Sequence, residues 1–232
     1  VFRTDLRLRP NPSTTPVCIA AGAAESYYES VGRTWERAAF IKARAAVGDL
    51  DAGRRFLDGL TPFVWRRHLD FAAIEDAHDM RLRIRAHKGQ GWRLEIAGHD
   101  VKLGYGGIRE IEFFAQTQQL VRGGRNPSLR DSTTRGALRA LTAAGVLDEA
   151  TRATLDADYV AHRELEHRLQ MIEDAQTQTI PVAEEARSRV AALGAGQTAR
   201  LSRRRSQSVA NASANPATPS SCQTRKDPIS MR

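Results

Sequence analysis

Apolar residues recur at helical spacing along most of the first 194 positions of the 232-residue chain. Side chains three or four residues apart lie on one face of a helix, which is the face that packs into a core. The pattern predicts helices over residues 20–44 with a break near Gly32, 49–60, 62–85, 108–121, 132–144, 149–172 and 183–193. Residues 88–103 contain several glycines and predict a short hairpin or a loop, and the sequence GGRNPSLR predicts a turn.

The first nine residues follow a different period. In VFRTDLRLRP, apolar and polar positions alternate until Pro10, which predicts a strand. Asp5, Arg7 and Arg9 then share one face of that strand. Carboxylate oxygens suit Mg²⁺, and guanidinium groups suit the phosphate that accompanies it. The alternative is a solvent-exposed edge strand with local ion pairs.

The net charge of +8 is concentrated at the end of the chain. Residues 195–232 carry six of these eight net positive charges, have few large apolar residues and show no helical or strand period. Such a segment cannot bury enough surface to offset its ordering entropy, so we predict a disordered tail. Because the basic excess lies in this tail, the overall charge does not favour nucleic acid as a partner.

A second basic cluster occurs in the sequence GRTWERAAFIKAR. On a continuous helix, Arg33, Arg37 and Arg44 would fall within about 40° of one another, with Lys42 on the other side. Like charges on one stripe repel, which indicates an anionic ligand or acidic neighbours. The alternative is a surface helix whose arginines meet acids elsewhere in the fold.

A third motif is KLGYGGIREIEF. Glycines at positions 104, 106 and 107 precede a predicted helix, and free backbone N–H groups at a helix start can bind an anion. Arg109 and Glu112 are three residues apart and can pair. Neither a Walker loop nor a dinucleotide-binding fingerprint is present.

Other function classes lack their signatures. The six histidines show no zinc-ligand spacing, and no GxSxG motif is present. No apolar run approaches the roughly 20 residues of a membrane helix, so no membrane partner is expected. Two cysteines are too few for a disulfide framework, which favours a reducing, cytoplasmic location.

Three stretches coincide in order and spacing with one family. FRTDLRLRP, GRTWERAAFIKARAAVGD with FVWRRHLDF, and VKLGYGGIREIEFFAQTQQLVRGGRNPSLR resemble the bifunctional glutamine synthetase adenylyltransferase/adenylyl-removing enzymes. HRELEHRLQMIEDAQTQTIP fits the helical region of the same family. The form of the second stretch resembles the N-terminal, deadenylylating half of these enzymes.

The resemblance implies a fold and a function. It implies a mainly α chain in which a truncated polymerase-β-type nucleotidyltransferase α/β remnant precedes a helical domain and the disordered tail. Residues 1–75 would be the C-terminal part of the nucleotidyltransferase domain, 76–194 the helical domain and 195–232 the tail. The implied activity is control of glutamine synthetase, and so of nitrogen assimilation, by phosphorolytic removal of AMP from a tyrosine, giving ADP, and by addition of AMP from ATP. Mg²⁺ is the implied cofactor; ATP, ADP and orthophosphate are the substrates, and glutamine synthetase and a PII-type signal protein the partners.

The resemblance also assigns residues. Asp5 matches a metal-binding carboxylate, and Arg7 and Arg9 would flank the nucleotide phosphates as catalytic residues. Phosphate or nucleotide contacts are expected of six further residues, some of which have a fold-supporting role as the alternative. These are Arg33, Arg37, Lys42, Arg44, Lys102 and Arg109.

Three departures from the family pattern qualify these expectations. The family has its first two metal carboxylates in a GS…DxD segment upstream of the strand with Asp5, which this chain does not include, so we expect the chain alone to be inactive. The amino-acid composition changes abruptly near residue 194, and a reading-frame shift in a GC-rich gene would produce such a change. Asp100 stands where the family usually has Asn, which puts a side-chain amide donor there in doubt.

Two alternatives remain open at this point. One is a non-catalytic helical docking module that binds glutamine synthetase or a PII-type regulator. The other is a relative that uridylylates the PII protein and has a similar GGxR motif, although the WERAAFIKAR and FVWRRHLDF stretches argue against it.

Overall fold

The computed structural model describes residue 6 and residues 8–67 and 96–194. Eight α-helices and one short 3₁₀ helix, Pro127–Leu129, are found in these ranges. The α-helices are α1 (Ala21–Ser30), α2 (Thr34–Phe40), α3 (Leu50–Gly59), α4 (Thr61–Val64), α5 (Ile108–Arg122), α6 (Thr134–Ala143), α7 (Glu149–Glu173) and α8 (Glu184–Ala192).

Side-chain caps explain where three of these helices begin. The side chain of Asp49 accepts hydrogen bonds from the N–H groups of Asp51 and Ala52 at the start of α3. Thr133 caps α6, and Asp148 caps α7, in the same way. An N-cap oxygen satisfies one of the N–H groups that a helix start leaves without a partner. The predicted helices over 49–60, 132–144 and 149–172 are therefore confirmed.

The predicted break near Gly32 is also confirmed. A Cβ at Gly32 would lie 2.6 Å from the carbonyl oxygen of Tyr28 and would overlap the Phe63 ring. Only glycine fits there, so α1 ends and α2 begins at this close contact with α4.

The prediction of one helix over residues 62–85 is wrong at its start. α4 ends at Val64, and Trp65 has φ −110° and ψ 70°, which is not helical. The ring of Trp65 lies under Gly123, where a Cβ would come within 2.8 Å of it. Tertiary packing therefore ends this helix, and residues 68–85 lie outside the described ranges.

The described residues are helical, as the fold-class prediction requires, but they contain no strand. Within the described ranges, an isolated antiparallel β-bridge joins Asp100 to Thr179. Leu8 and Arg9, expected at the end of a strand, lie in a turn and a bend. Asp5 and Arg7 lie outside the described residues, as do the predicted domain boundary at 75–76 and the segment 195–232.

α5 packs into two hydrophobic clusters. Ile111 and Ala115 belong to a buried cluster with residues of α6 and α7. One turn further along, Leu120 packs with Tyr28 and Phe63 of the N-terminal helices. A third cluster joins Val101 to α7 and α8. α5 thereby fixes the N-terminal helices against the helices that follow it.

The described part of the chain has no helix that is both long enough and apolar enough to cross a bilayer.

Candidate functional site

The arginine stripe predicted for residues 33–44 does not form. α2 covers Thr34–Phe40, so Arg33 is its N-cap residue and Arg44 lies beyond its end. Both are exposed. Arg37 is buried, and its guanidinium donates hydrogen bonds of 3.2 and 3.4 Å to the carbonyl oxygen of Val64. The three arginines therefore do not share one face.

Arg9 is held by the loop in which it lies. Its guanidinium donates to the carbonyl oxygens of Leu6 and Pro12 at 2.9 and 2.8 Å. The adjacent Leu8 carbonyl accepts a 3.1 Å hydrogen bond from the hydroxyl of Tyr28. α1 thus anchors the segment that bears Arg9.

The start of α5 is not a free anion site, which corrects the interpretation of its glycines. The N–H groups of Ile108 and Arg109 donate to the carbonyl oxygens of Val101 and Lys102, both at 3.0 Å. A Cβ at Gly107 would lie 2.7–3.0 Å from three carbonyl oxygens of the same loop. The glycines are therefore needed for a tight loop packed on the helix start, whose N–H groups it occupies.

The side chain of Asp100 stabilises this loop by accepting hydrogen bonds from its backbone. Its Oδ1 accepts from the N–H groups of Lys102 and Leu103 at 2.9 and 2.7 Å. An asparagine Oδ1 could accept the same two bonds, because an amide oxygen and a carboxylate oxygen are both acceptors. The aspartate therefore preserves the turn that places Lys102.

Lys42 and Arg109 meet on the carboxylate of Glu112. Lys42 Nζ lies 2.7 Å from Oε1 of Glu112, and Arg109 Nη1 lies 3.3 Å from Oε2. The hydroxyl of Tyr159 on α7 also donates to Oε1 at 3.4 Å. Segments that are far apart in the chain thus converge on one buried acid of α5.

Glu166 on α7 is the second such acid. Lys102 Nζ lies 3.3 Å from its Oε1, and Arg163 Nη1 lies 2.8 Å from its Oε2. Each of the two glutamates therefore binds one cation with each of its oxygens. We call Lys42, Lys102, Arg109, Arg163, Glu112 and Glu166 the basic cluster.

The carboxylates of the basic cluster are buried, whereas its cations reach solvent. The Glu112 and Glu166 side chains are 9 % and 3 % exposed, and those of the four cations are 26–43 % exposed. Burial by itself raises the pKa of Glu112, but the hydrogen bond and charge of Lys42, then Arg109 and Arg163, bring the net pKa below its usual value. Glu112 is therefore a carboxylate at neutral pH.

His99 lies beside the loop that carries Lys102. Burial lowers its pKa, against the opposing charge of Asp100. A Cβ at Gly104 would lie 2.7 Å from Cε1 of the imidazole, so the ring packs directly on that glycine.

The structure thus brings two of the predicted phosphate residues, Lys42 and Arg109, together on Glu112, and it pairs a third, Lys102, with Glu166. The sequence interpretation missed Arg163 and Glu166. Their spacing of three residues on a predicted helix was a signal for a pair, but nothing in the sequence placed that pair beside Lys102. Among the described residues, no group of three histidine, cysteine or acidic side chains is arranged to hold a metal ion.

Two family models and several curated relatives match this chain. The family model described as GlnD PII-uridylyltransferase matches residues 78–213, and the one described as glutamate-ammonia ligase adenylyltransferase matches residues 1–59. The bifunctional glutamine synthetase adenylyltransferase/adenylyl-removing enzyme of Rhizobium meliloti (strain 1021) is 55 % identical over 203 residues, covering 87 % of this chain and 20 % of the relative. The chain belongs to the glutamine synthetase adenylyltransferase family.

Two further relatives with the same name extend this similarity within the family. Those of Agrobacterium fabrum (strain C58) and Caulobacter vibrioides (strain CB 15) are each 56 % identical, over 82 % and 83 % of this chain. They are covered over 19 % and 20 % of their own lengths, so the chain spans about a fifth of the curated relatives it matches.

Two expectations can be compared with these matches. The resemblance to this adenylyltransferase family of nucleotidyltransferases is confirmed. The match to the uridylyltransferase model reaches residue 213, beyond the change of composition near residue 194. Similarity to nucleotidyltransferase families therefore continues past that point in the sequence.

Proposed function

We propose that this chain takes part in nucleotidyl transfer on glutamine synthetase, in the direction that removes AMP from a tyrosine by phosphorolysis and yields ADP. The identity of 55 % to an adenylyltransferase/adenylyl-removing enzyme supports the reaction class. The GRTWERAAFIKAR and FVWRRHLDF stretches support the deadenylylating direction.

One observation carries this proposal: Lys42, Lys102 and Arg109 come from separate segments and converge on two buried glutamates. Phosphorolysis brings orthophosphate to a phosphodiester-like centre, so several negative charges must be held together. Fixed cations stabilise that charge without reorganising during the reaction.

The remaining residue roles follow from the family resemblance. Asp5 would bind Mg²⁺, which when present neutralises phosphate charge, and Arg7 and Arg9 would flank the nucleotide phosphates. Among the described residues, no three acidic, histidine or cysteine side chains are arranged to hold a metal ion, so Asp5 is the one metal ligand proposed for this chain. Arg33 and Arg44 are exposed and remain proposed phosphate contacts, whereas the buried Arg37 is assigned a fold-supporting role.

The proposed organisation and partners complete this function. Residues 1–75 would belong to the nucleotidyltransferase domain, 76–194 to the helical domain and 195–232 to a disordered tail. Glutamine synthetase is the proposed protein substrate and a PII-type signal protein the proposed regulator, both in the cytoplasm.

Binding measurements test the proposal against the docking-module alternative. The purified 232-residue chain is titrated with ADP and ATP, with and without Mg²⁺, and with adenylylated and unmodified glutamine synthetase. We expect Mg²⁺-dependent nucleotide binding and a preference for the adenylylated form. Binding of glutamine synthetase that is indifferent to nucleotide and to adenylylation would support the docking module instead. No binding of either ligand would contradict both.

A further inference from the structure

The GGRNPSLR motif begins the connection from α5 to α6, and it packs on the backbone that follows α4. We call residues 123–130 the latch loop. A Cβ added at Gly124 would overlap the carbonyl oxygen of Arg66 and would lie 3.0 Å from the backbone nitrogen of Arg67. The peptide bond between these two arginines therefore lies directly on the Cα of Gly124.

This contact, and not the backbone conformation of Gly124 itself, is what requires a glycine. The φ angle of Gly124 is not positive, so its backbone conformation does not exclude other residues. A side chain is excluded by the backbone of Arg66, which fills the space that a Cβ would need. The second glycine of the motif therefore serves the close approach of the segment after α4.

Two arginines of the latch loop bind the same segment. Arg125 donates from Nε to the carbonyl oxygen of Arg67 at 3.1 Å. The guanidinium carbon of Arg130 lies 5.5 Å from the centre of the Trp65 ring, and its Nε donates to the carbonyl oxygen of Gly123 at 2.7 Å. Arg130 thereby joins Trp65 to the loop through a cation–π contact.

The latch loop has support of its own from α5 and the core. The buried side-chain amide of Gln119 donates to the carbonyl oxygens of Leu129 and Asp131, both at 2.7 Å. Leu129 is 1 % exposed and belongs to the hydrophobic cluster that includes residues of α6 and α7. These contacts do not involve the segment after α4, so the loop can keep its conformation when that segment leaves it.

The bound segment lies at the surface. Arg66 and Arg67 are exposed, and the hydrogen bond from Arg125 to Arg67 is exposed as well. Exposed hydrogen bonds contribute little, because water competes for the same groups. The preceding carbonyl group, that of Val64, is bonded instead by the buried Arg37. Opening at residues 65–67 therefore costs much less than separating α4 from the N-terminal helices.

We propose that the latch loop is a conformational latch, which binds the backbone of residues 65–67 in a closed state and releases it in a minor open state while the helices stay folded. The latch couples the end of α4 to the connection between α5 and α6. A partner that binds one of the two states more tightly would shift their populations. The inference goes beyond the proposed function and assigns Arg125 and Arg130 as positioning residues of the segment after α4.

Limited digestion with trypsin measures the opening. Trypsin cleaves after arginine, but a protease must take the flanking backbone into its own cleft. In the closed state the peptide bond after Arg66 lies on Gly124. Cleavage after Arg66 or Arg67 therefore reports the open population, provided that opening and closing are faster than cleavage. The purified 232-residue chain is digested briefly, and the first cuts are mapped by mass spectrometry.

Arg125→Ala is the decisive variant, and Arg122→Ala is its matched control. Arg122 is equally exposed, but its guanidinium bonds to Gln118 on its own helix. We expect Arg125→Ala to raise the rate of first cuts after Arg66 and Arg67 about five- to tenfold, the effect of losing one hydrogen bond with a charged donor. The control should cleave at the wild-type rate. Equal rates in the two variants would overturn the proposal, as would an equal rise at sites within α7, which would indicate global unfolding.

Gly124→Ala tests the same latch from the glycine. The added methyl group excludes residues 65–67 from the loop, whereas the φ angle at this position accepts alanine. We expect the far-ultraviolet circular dichroism of wild type together with faster cleavage after Arg66 and Arg67 than in Arg125→Ala. Loss of helical structure in Gly124→Ala would show that the segment is part of the core, and would overturn the proposal. Nucleotide and glutamine synthetase are absent from these digestions, so failure of the latch and failure of the proposed function are separate results.

Discussion

Lys42 and Glu112 are seventy positions apart in the chain, and their side chains meet at 2.7 Å. Lys42 lies just beyond α2, and Glu112 lies on the second turn of α5. Nearby, the Gln116 side-chain amide donates to the carbonyl oxygen of Ala38 at 3.4 Å. These two contacts join the N-terminal helices to α5 through polar groups, beside the apolar contact made by Leu120.

Replacement of Lys42 should destabilise the fold. In Lys42→Met the buried Glu112 carboxylate loses its nearest cation and keeps Arg109 at 3.3 Å. We expect the free energy of unfolding to fall by about 1–3 kcal/mol, the usual cost of removing a charged partner from a buried group. Urea denaturation followed by circular dichroism measures this change.

Arg54→Met is the matched control for that measurement. Arg54 forms an ion pair with Asp51 on α3, but both side chains are well exposed. Exposed pairs contribute about 1 kcal/mol or less, so this variant should be close to wild type. If the two variants lost equal stability, the pair of Lys42 and Glu112 would have no special role in joining the N-terminal helices to α5.

The contribution of Glu112 should depend on pH. Its pKa in the folded protein lies below the ordinary value of 4.5, so its ionised form stabilises the fold above that pH. This contribution is lost as the pH falls through the lowered pKa. Glu112→Gln should therefore be less stable than wild type near neutral pH, with the difference shrinking in acid. Urea midpoints measured across this range test it, and a difference that grows in acid would contradict the assignment.

Much of the helical architecture could be predicted from the sequence because its signals are local. Asp49, Thr133 and Asp148 are capping residues placed immediately before periodic apolar segments, and each caps a helix in the structure. The early end of α4 could not be predicted in this way. It follows from packing of Trp65 under Gly123, which is far away in the chain.

The basic cluster shows the same division between local and distant signals. The pairing of Arg109 with Glu112 was predicted, because it needs only one helical turn. The approach of Lys42 to Glu112, and of Lys102 to Glu166, depends on how distant segments pack together. The prediction of a helical stripe of Arg33, Arg37 and Arg44 was wrong because α2 ends at Phe40, before Arg44.

Tyr28 should lose its proton only in strong alkali. Burial, followed by the nearby charge of Glu36, raises the pKa of its phenol from 10.0 to about 12. A raised phenol pKa means that the neutral form stabilises the fold, fully below pH 10.0, and that this stability is lost as the pH rises toward the folded value. Ultraviolet titration of wild type against Tyr28→Phe should show the missing transition near pH 12. If the transition that Tyr28→Phe lacks were near pH 10.0 instead, it would contradict burial of this hydroxyl against the Leu8 carbonyl.

Gly107→Ala should disrupt the loop that places Lys102. The added Cβ would lie 2.7, 2.9 and 3.0 Å from the carbonyl oxygens of Val101, Gly104 and Lys102, and backbone atoms cannot move aside as a side chain can. We expect a loss of about 1–3 kcal/mol in the free energy of unfolding, because the loop would have to shift to make room for the methyl group. Gly22→Ala is the control, since nothing lies within 4 Å of its added Cβ and alanine favours the helix α1, so that variant should gain about 0.5–1 kcal/mol. Urea denaturation of both variants distinguishes a glycine needed for close packing from one that is merely tolerated, and equal stabilities would show that the loop can relax around the methyl group.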